Sequence, residues 1–321
     1  MVAKLQDVAK AAGVTITTVS RVLNDFPHVS KKTHDKVYAA IRALNYHPNA
    51  LARSLQGKSS KFIGLIFPTI ANPFFSELAN ELEVKLSAKG YKIIIASSAN
   101  NVEAERRYLG MLAANMVEGI ITGSHNLGIE EYKDVNMPIV SFDRFLSEEI
   151  PIVSSNNYQG GTLAVDYLVK QGAKKIAIIT DEDDSDSPTS WRAVGAEKAI
   201  KQAGIQSQQF AFPDSQFTES EKAEELRSLL ASQKFDGIFA NNDTTALLIK
   251  KIIKENNFNE VPIIGYDGTD FIRHYLTDVA TIVQPIPEIA DALIGLLFRR
   301  IEKPDEHFEN PEPLAVQLFV N

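Results

Sequence analysis

The sequence predicts an N-terminal all-α helix-turn-helix domain followed by an α/β body of two doubly wound parallel-sheet lobes. Three observations predict this fold. Residues 1–60 carry three short helical patterns with a glycine turn between the first two. From Lys61 onward, short apolar runs alternate with amphipathic helical patterns, which is typical of parallel sheets covered on both faces. The charge also changes sign between these two parts of the chain.

The charge distribution separates a basic head from an acidic body. Residues 1–60 contain nine Lys or Arg and three acids, a balance of +6; because the whole chain carries −8, the rest carries −14. Counterion release rewards cations only where a protein contacts phosphate, so this split favours a head that binds nucleic acid. Chance is the alternative explanation.

The composition excludes several classes of protein. Its 321 residues exceed what one compact core holds, and the absence of cysteine excludes disulfides, thiolate metal sites and a cysteine nucleophile. No stretch approaches the roughly 20 apolar residues of a membrane span, and residues 1–10 lack the basic start and apolar core of a signal peptide. We therefore expect a cytoplasmic chain with no membrane partner.

The sequence carries no motif of an enzyme or a cofactor site. It lacks the glycine-rich patterns that bind dinucleotides and nucleotide phosphates, the nucleophile elbow of hydrolases and the paired-histidine motif of zinc proteases. Its six histidines are scattered. We therefore predict a protein that is not an enzyme and uses neither a cofactor nor a metal.

The head is predicted to form three helices around one core. Leu5 and Val8 stand at helical spacing, and the first helix ends near Gly13, which supplies the turn. Thr15 is the expected cap of the second helix, and Ser30 is the expected cap of the third. Two short helices joined by a tight turn form a helix-turn-helix.

The second helix of such a unit enters the DNA major groove, where its N-terminal side chains meet base edges. We expect Ile16, Thr17 and Arg21 to face outward and to read bases. Arg21 offers two hydrogen bonds to a guanine edge, whereas Ile16 and Thr17 offer methyl and hydroxyl contacts. The alternative is that these residues are ordinary solvated positions, because many small helical domains share the pattern.

The linker that follows contains an unexplained leucine. Residues 49–57 are about two helical turns long and carry Leu51 and Leu55 four positions apart. One solution pairs this segment with its copy in a second subunit, so that Leu55 wedges between base steps in the minor groove. The alternative is an ordinary linker helix that packs on the body.

Apolar runs in the body predict parallel strands, with an amphipathic helix between most of them. The runs are 62–67, 92–96, 119–122, 139–142, 175–180, 237–240 and 263–266. A break near residues 154–158 favours two lobes, and residues 281–285 and 314–320 are expected to cross back between them. Ligands of such folds bind beyond the carboxyl ends of the strands, so two facing lobes predict a cleft there.

The side chains at the predicted strand ends are of the kind that binds sugars. The polar ones are Asn72, Asp143, Arg144, Arg192, Asn242, Asp243, Asp267 and Gln284. Neutral hydroxyl ligands need fixed donors and acceptors, and Phe74, Phe75 or Trp191 offer aromatic faces for the apolar side of a sugar ring. Each polar residue could instead pair locally, and Asp243 and Asp267 are candidate helix N-caps.

The head and linker closely match the motif of one family. The matching stretches are LQDVA at 5–9, AGV at 12–14, TVSRVLN at 18–24 and PNALARSL at 48–55. In the body, the similar stretches are NPFF at 72–75, FDR at 142–144, ND at 242–243 and GYD at 265–267. The whole chain thus resembles the LacI/GalR-type transcriptional repressors, whose body is similar to periplasmic sugar-binding proteins.

Within that family, four stretches are most similar to the members that regulate sucrose use in Gram-positive bacteria. They are ARSLQGKS at 52–59, GLIFP at 64–68, GSHNLGI at 123–129 and SFDR at 141–144. Ser124 and His125 are effector candidates through this subfamily match alone.

The resemblance implies a homodimer that grips a palindromic operator and is released by a sugar or sugar-phosphate effector. The candidate DNA-binding residues are Thr15, Ile16, Thr17, Thr18, Ser20, Arg21, Asn24, Asn49, Ala52 and Leu55. The candidate effector-binding residues are Asn72, Phe74, Phe75, Ser124, His125, Asp143, Arg144, Trp191, Arg192, Asn242, Asp267 and Gln284.

The expected division has three parts. They are a helix-turn-helix domain at 1–47, a hinge helix and linker at 48–60, and a two-lobed effector-binding and dimerisation domain at 61–321. The N-lobe is expected at about 61–157 and 285–311, and the C-lobe at about 158–284 and 312–321. Sugar is expected to move the lobes, melt the hinge helices and withdraw Leu55 from the DNA.

The oligomeric state and the effector leave alternatives open. The chain ends at Asn321 without the leucine-heptad tail of the tetrameric members, so we expect a dimer. A related regulator of ribose or fructose use, or a co-repressed regulator similar to the purine or catabolite repressors, is the alternative within the family. From another class, the alternative is a soluble sugar-binding protein with no role on DNA.

Overall fold

The computed structural model describes residues 3–23, 26–46, 59–99, 101–114, 117–124, 126, 129–134, 137–180, 187–212, 218–276, 279–304 and 306–320. They fall into two compact units, which divide the chain between Ser60 and Lys61. None of the helices in these ranges combines the length and the apolar character that a membrane span requires.

The first unit is a bundle of three short helices, as predicted. They are α1 (Leu5–Ala12), α2 (Ile16–Leu23) and α3 (Lys31–Ala43). Gly13 ends α1 with a left-handed backbone, φ 65°. The Thr15 hydroxyl accepts the Thr18 N–H at 3.1 Å, and the Ser30 hydroxyl accepts the Thr33 N–H at 3.3 Å, so both predicted caps are confirmed. The shared core is Val8, Ala9, Ala12, Val19, Val22, Val37 and Ala40.

The second unit begins with a sheet of five parallel strands. They are β1 (Phe62–Phe67), β2 (Lys92–Ser97), β3 (Gly119–Thr122), β4 (Ile139–Phe142) and β5 (Ile152–Val153), in the spatial order β2-β1-β3-β4-β5. The intervening helices are α4 (Pro73–Ala88), α5 (Val102–Ala113) and α6 (Glu131–Asp134). Alternate residues of β1 enter different cores: Ile63 and Leu65 pack with α4, whereas Ile66 packs with α5.

The second unit also contains a second sheet of mostly parallel strands connected by helices. Its strands are β6 (Lys175–Thr180), β7 (Gln206–Ala211), β8 (Gly237–Ala240), β9 (Ile263–Asp267), β10 (Ala280–Val283) and β11 (Gln317–Phe319), in the order β11-β10-β9-β8-β6-β7. Its helices are α7 (Asn157–Lys170), α8 (Trp191–Ala203), α9 (Glu219–Ser232), α10 (Asp243–Glu255) and α11 (Asp270–Tyr275). All strand pairs are parallel except β10 with β11.

The chain passes between the two sheets at three places. It leaves the first sheet after β5 to form α7, and it leaves the second sheet after β10. The next helix, α12 (Ile286–Glu302), packs through Ile289 and Leu293 into the core shared with α4. The chain then returns to add β11 beside β10. This arrangement brings the carboxyl ends of both sets of parallel strands to the crossover segments.

The apolar runs miss two of the observed strands. β5 has only two residues, which is too short for a pattern. β7 lies at the edge of its sheet, and its sequence QSQQFA is almost entirely exposed. An edge strand with polar side chains gives no hydrophobic signal, because only its backbone is needed to extend the sheet.

The contact between α7 and α8 leaves no room for a side chain at Gly195. A Cβ atom there would lie 2.1 Å from the Tyr158 carbonyl oxygen, whereas a Cβ atom on Gly110 in α5 would meet nothing within 4 Å. We expect Gly195→Ala to lower the free energy of unfolding by about 1–3 kcal/mol. The control Gly110→Ala should raise it by about 0.5–1 kcal/mol, because alanine favours an exposed helix interior. Urea unfolding measures both values, and an equal response of the two variants would contradict the packing.

Candidate functional site

The exposed face of α2 carries the predicted base-reading side chains. Ile16 is 43% exposed, and Thr17 and Arg21 are also exposed, while Val19 and Val22 on the opposite face are buried. Ser20 and Thr18 are half-buried, and the Thr15 and Thr18 hydroxyls lie 2.9 Å apart. The candidates Asn24, Asn49, Ala52 and Leu55 lie outside the described residues. The described part of the head thus presents a polar and basic helix face around an apolar Ile16.

Two aspartates lie at the carboxyl ends of strands in opposite sheets, where the sequence predicts a cleft. Asp143 follows β4 and is 3% exposed, and Asp267 ends β9 and is 8% exposed. Both have left-handed backbones, with φ of 52° and 115° respectively. Such backbones cost on the order of 1–3 kcal/mol each and cluster at binding sites. Two buried acids held in this way are suited to accept hydrogen bonds from ligand hydroxyls.

The crossover segments join these two aspartates through a short chain of side chains. The Ser155 hydroxyl lies 3.4 Å from Asp143 Oδ2 and donates to Gln284 Oε1 at 2.7 Å. Gln284 Nε2 in turn donates to Asp267 Oδ1 at 2.9 Å. Ser155 precedes α7 and Gln284 follows β10, so the chain of contacts crosses from one sheet to the other. It fixes the orientation of both carboxylates.

Arg192 supplies the positive charge of the cleft. It lies in the first turn of α8, and its Nε donates to Asn157 Oδ1 at 2.7 Å. Its Nη1 donates to the Asn241 carbonyl oxygen at 2.8 Å, and its Nη2 lies 3.9 Å from Asp143 Oδ2. The guanidinium also stacks 3.6 Å from the centroid of the Tyr266 ring. These contacts hold the cation in one place.

Burial changes the acidity of the groups around Arg192. Burial raises the pKa of Asp143 to about 6, although the charges of Arg192 and Arg144 oppose this shift. Burial also raises the pKa of Asp243, whose carboxylate accepts the Thr281 hydroxyl at 2.6 Å and the Gly268 N–H at 2.8 Å. The pKa of Tyr266 rises to about 12 for the same reason. A ligand hydroxyl that donates to Asp143 would favour its ionised form.

Two asparagines and a threonine, rather than the two aspartates suggested by the sequence, cap the helices that follow the strands. Asn72 accepts the Phe74 N–H at 2.8 Å at the start of α4. Asn242 accepts the Thr245 N–H at 2.8 Å at the start of α10. The N-cap alternative for Asp243 and Asp267 is therefore wrong, because Asp243 already lies inside α10 and Thr269 caps α11.

The aromatic candidates lie in contrasting surroundings. Phe74 and Phe75 are buried in the core around α4, where Phe74 stacks on Phe142 with ring centroids 5.4 Å apart. Trp191, at the start of α8, is 53% exposed. The Arg144 guanidinium donates to the Asp143 carbonyl oxygen at 3.3 Å and contacts Thr189 Oγ1. Contact of any of these residues with an effector stays a prediction.

The Ser124 hydroxyl is engaged inside the first sheet's half of the unit. It donates to the fully buried carboxylate of Glu105, which also accepts Asn126 Nδ2 at 2.7 Å and the Tyr132 hydroxyl at 2.6 Å. The neighbouring candidate His125 lies outside the described residues. Ser124 therefore helps to hold the loop after β3, and its predicted contact with an effector stays untested.

Two residues of the network escape sequence reasoning. Ser155 lies in the crossover before α7, and Asn157 is the first residue of α7, where its Nδ2 donates to Asp143 Oδ1 at 3.0 Å. Neither is part of an apolar period or of the quoted motifs, so only their position at the break near residues 154–158 pointed to them. No group of three or more His, Cys, Asp or Glu side chains among the described residues could hold a metal ion.

Comparison with known proteins agrees with both units. Residues 4–49 match the bacterial regulatory proteins of the lacI family, and residues 63–304 match the periplasmic binding protein domain. The sucrose operon repressor of Streptococcus mutans is 48% identical over 95% of this chain and 95% of its own length. The sucrose operon repressor of Pediococcus pentosaceus is 44% identical over 98% of both.

A solved structure matches the fold over the whole length. The lac repressor dimer bound to operator and the anti-inducer ONPF has a TM-score of 0.80 and 25% identity, with 99% of this chain and 98% of that chain covered. The predicted fold class is confirmed. The chain belongs to the lacI family of bacterial regulatory proteins, and both relatives named above are sucrose operon repressors.

The raised pKa of Asp143 predicts a specific loss of stability as pH rises. Its folded pKa is about 6, above the unfolded value of about 3.9. The folded state therefore binds the proton more tightly, and its contribution to stability declines between pH of about 4 and about 6. Relative to Asp143→Asn, the wild type should lose on the order of 3 kcal/mol of unfolding free energy across this window.

Urea unfolding of the wild type and of Asp143→Asn at several pH values checks this. The control Asp166→Asn changes an exposed carboxyl on α7 and should give a profile parallel to that of the wild type. Parallel profiles for the wild type and Asp143→Asn would contradict the assignment.

Proposed function

We propose that the chain represses a sucrose-utilisation operon, binds a palindromic operator as a homodimer, and is released by a sugar or sugar-phosphate effector. The observation that carries the proposal is the 44–48% identity to sucrose operon repressors, which extends over both the basic head and the cleft. The similarity to these repressors thus includes both the region proposed to bind DNA and the region proposed to bind the effector. The proposal includes the division into a head at 1–47, a hinge at 48–60 and two lobes with the bounds expected above.

On the DNA side, the proposal assigns α2 to the major groove. Ile16, Thr17 and Arg21 form its exposed N-terminal and central face, and the acidic body keeps nonspecific attraction to DNA confined to the head. Leu55 from each subunit would enter the minor groove at the centre of the palindrome. Two-fold symmetry of the dimer then matches two-fold symmetry of the operator.

Exposed apolar side chains support the homodimer. Val84 on α4 is exposed, and so is Ile95 on β2, which is an edge strand of the first sheet. On the second half of the unit, Phe271 and Tyr275 of α11 are exposed with ring centroids 5.6 Å apart. Exposed apolar groups beside an open sheet edge favour association with another chain. A second copy would cover them.

On the effector side, the cleft offers acceptors from Asp143 and Asp267 and a fixed cation at Arg192. A sugar that contacts both sheets would favour one relative position of the lobes. If that position is incompatible with paired hinge helices, sugar binding weakens operator binding by the same factor as operator weakens sugar binding. The coupling thus requires only a difference in sugar affinity between the two states.

The proposal is tested with a fluorescent library of palindromic duplexes. We expect one palindrome to be selected, its affinity to fall steeply with salt, and sucrose, sucrose 6-phosphate or fructose to release it. An affinity that rises with ligand would identify a co-repressed regulator instead. Release by ribose alone would identify a ribose regulator. No preference among duplexes under any condition would leave the sugar-binding alternative.

Replacing Arg21 tests base reading by α2. Arg21→Ala should cost about 1–3 kcal/mol of operator affinity and relax the preference at one base position, because a bidentate guanine contact is lost. Arg107→Ala removes an exposed positive charge from the body and should leave operator affinity unchanged. Competition against the palindrome library measures both. A uniform loss on all duplexes would show that Arg21 contacts phosphate.

Replacing Leu55 tests the hinge wedge. Leu55→Ala should retain the thermal melting curve of the wild type but bind the operator more weakly, because only the wedge and a little hinge packing are removed. Gel-shift titration on the selected palindrome measures the affinity. Unchanged operator affinity would refute this role.

A further inference from the structure

Asn241 carries a buried amide without a hydrogen-bond partner. The residue is 8% exposed, and neither its Oδ1 nor its Nδ2 has a partner among the described residues. Leaving a buried donor and acceptor unsatisfied costs stability, so such groups are rare in folded proteins. An amide that contributes nothing to the fold needs another explanation.

The backbone of Asn241 is fixed at the carboxyl end of the second sheet. Its N–H donates to the Ile179 carbonyl oxygen at 3.0 Å, and its carbonyl oxygen accepts Arg192 Nη1 at 2.8 Å. Phe239, two residues earlier in β8, points to the side of α7 and α8. Because side chains alternate along a strand, we expect the Asn241 amide on that same side, and Asn241 itself contacts Arg192 through its carbonyl oxygen. It is therefore next to the cation of the cleft.

The side chain of the neighbouring Asn242, in contrast, is hydrogen-bonded within the protein. Asn242, the candidate that the family motif supplies, uses its Oδ1 to accept the Thr245 N–H and the Thr244 hydroxyl, both at 2.8 Å. That oxygen is occupied in capping α10. The amide of Asn241 has no partner in the described part of the chain, and it offers a donor and an acceptor side by side. The carboxylates of Asp143 and Asp267 offer acceptors alone when ionised.

We propose that Asn241 binds the effector directly and selects sugars with two suitably placed neighbouring hydroxyls. One hydroxyl would donate to Oδ1 while the other accepts from Nδ2. This inference rests on the proposed function, because it concerns the same cleft. It adds a specificity-determining residue that the family motif does not mark. A sugar that lacks either hydroxyl would leave half of the buried amide unpaired and would bind more weakly.

The variant Asn241→Leu separates a ligand contact from a structural role. Leucine has nearly the same size and no hydrogen-bonding group. The concentration of sucrose, sucrose 6-phosphate or fructose that half-releases the selected operator should rise about tenfold or more. Operator affinity without sugar should not change. The melting temperature should stay the same or rise, because no hydrogen bond within the protein is lost.

Asn256→Leu is the matched control. Asn256 Nδ2 donates to the Ile252 carbonyl oxygen at 2.8 Å near the far end of α10, so this amide stabilises the fold. We expect the opposite pattern, with a lower melting temperature and an unchanged sugar concentration for half-release. Asn241→Ala provides a second, smaller replacement and should weaken the sugar response like Asn241→Leu.

The outcomes distinguish this inference from the proposed function. If the wild type is released by one of the three sugars and both Asn241 variants are released at the same concentration, the inference is wrong. A lower melting temperature together with an unchanged sugar response would assign Asn241 to the fold and would also overturn it. If no sugar releases the wild type, the proposed function fails. A shifted response confined to the Asn241 variants supports the inference.

Discussion

The position of the Arg192 guanidinium is the constraint on which the rest of the cleft depends. Its side chain is only 14% exposed, with hydrogen bonds to Asn157 and to the Asn241 backbone, and with the Tyr266 ring against its face. Removing a cation from water is tolerated only when such contacts replace its hydration. The same cation offsets part of the cost of burying Asp143, whose carboxylate lies 3.9 Å away.

The crossover segments contact both Arg192 and Asp143. Asn157 contacts both Arg192 and Asp143, and Ser155 links Asp143 towards Gln284 and Asp267. The acceptors of the cleft are therefore held by segments that pass from one sheet to the other. A ligand that changes the hydrogen bonds of these acceptors acts directly on the segments about which the lobes would move. In the proposed mechanism, this connection would couple local chemistry in the cleft to the relative position of the lobes.

The sequence predicted the elements best where burial requires a run or a regular spacing of apolar residues. The bounds predicted for β1, β3, β4, β6 and β8 agree with the structure, because these strands are apolar and covered on both faces. The helix caps at Thr15 and Ser30 were predictable because each residue places a side-chain hydroxyl just before a helical pattern. The polar edge strand β7 had no such signal, since its residues face water.

In the cleft, the strand-end rule located Asp143, Asp267, Arg192 and Gln284, which the structure connects through two crossover residues. It could not locate Ser155 or Asn157, because contacts between residues distant in the chain depend on the packing of both sheets. Asn241 was missed for another reason. The motif directs attention to Asn242, and burial without a partner is visible only in three dimensions. The roles of these residues in binding remain predictions.

The coupling between operator and sugar is tested most directly by its reciprocity. The measurement is a calorimetric titration of sucrose, sucrose 6-phosphate or fructose, whichever releases the operator, into the free protein and into the protein saturated with the selected palindrome. The account predicts that DNA weakens sugar binding by the same factor by which sugar weakens DNA binding. Equal sugar affinity with and without the operator would contradict it, because a sugar that does not distinguish the two states cannot release DNA.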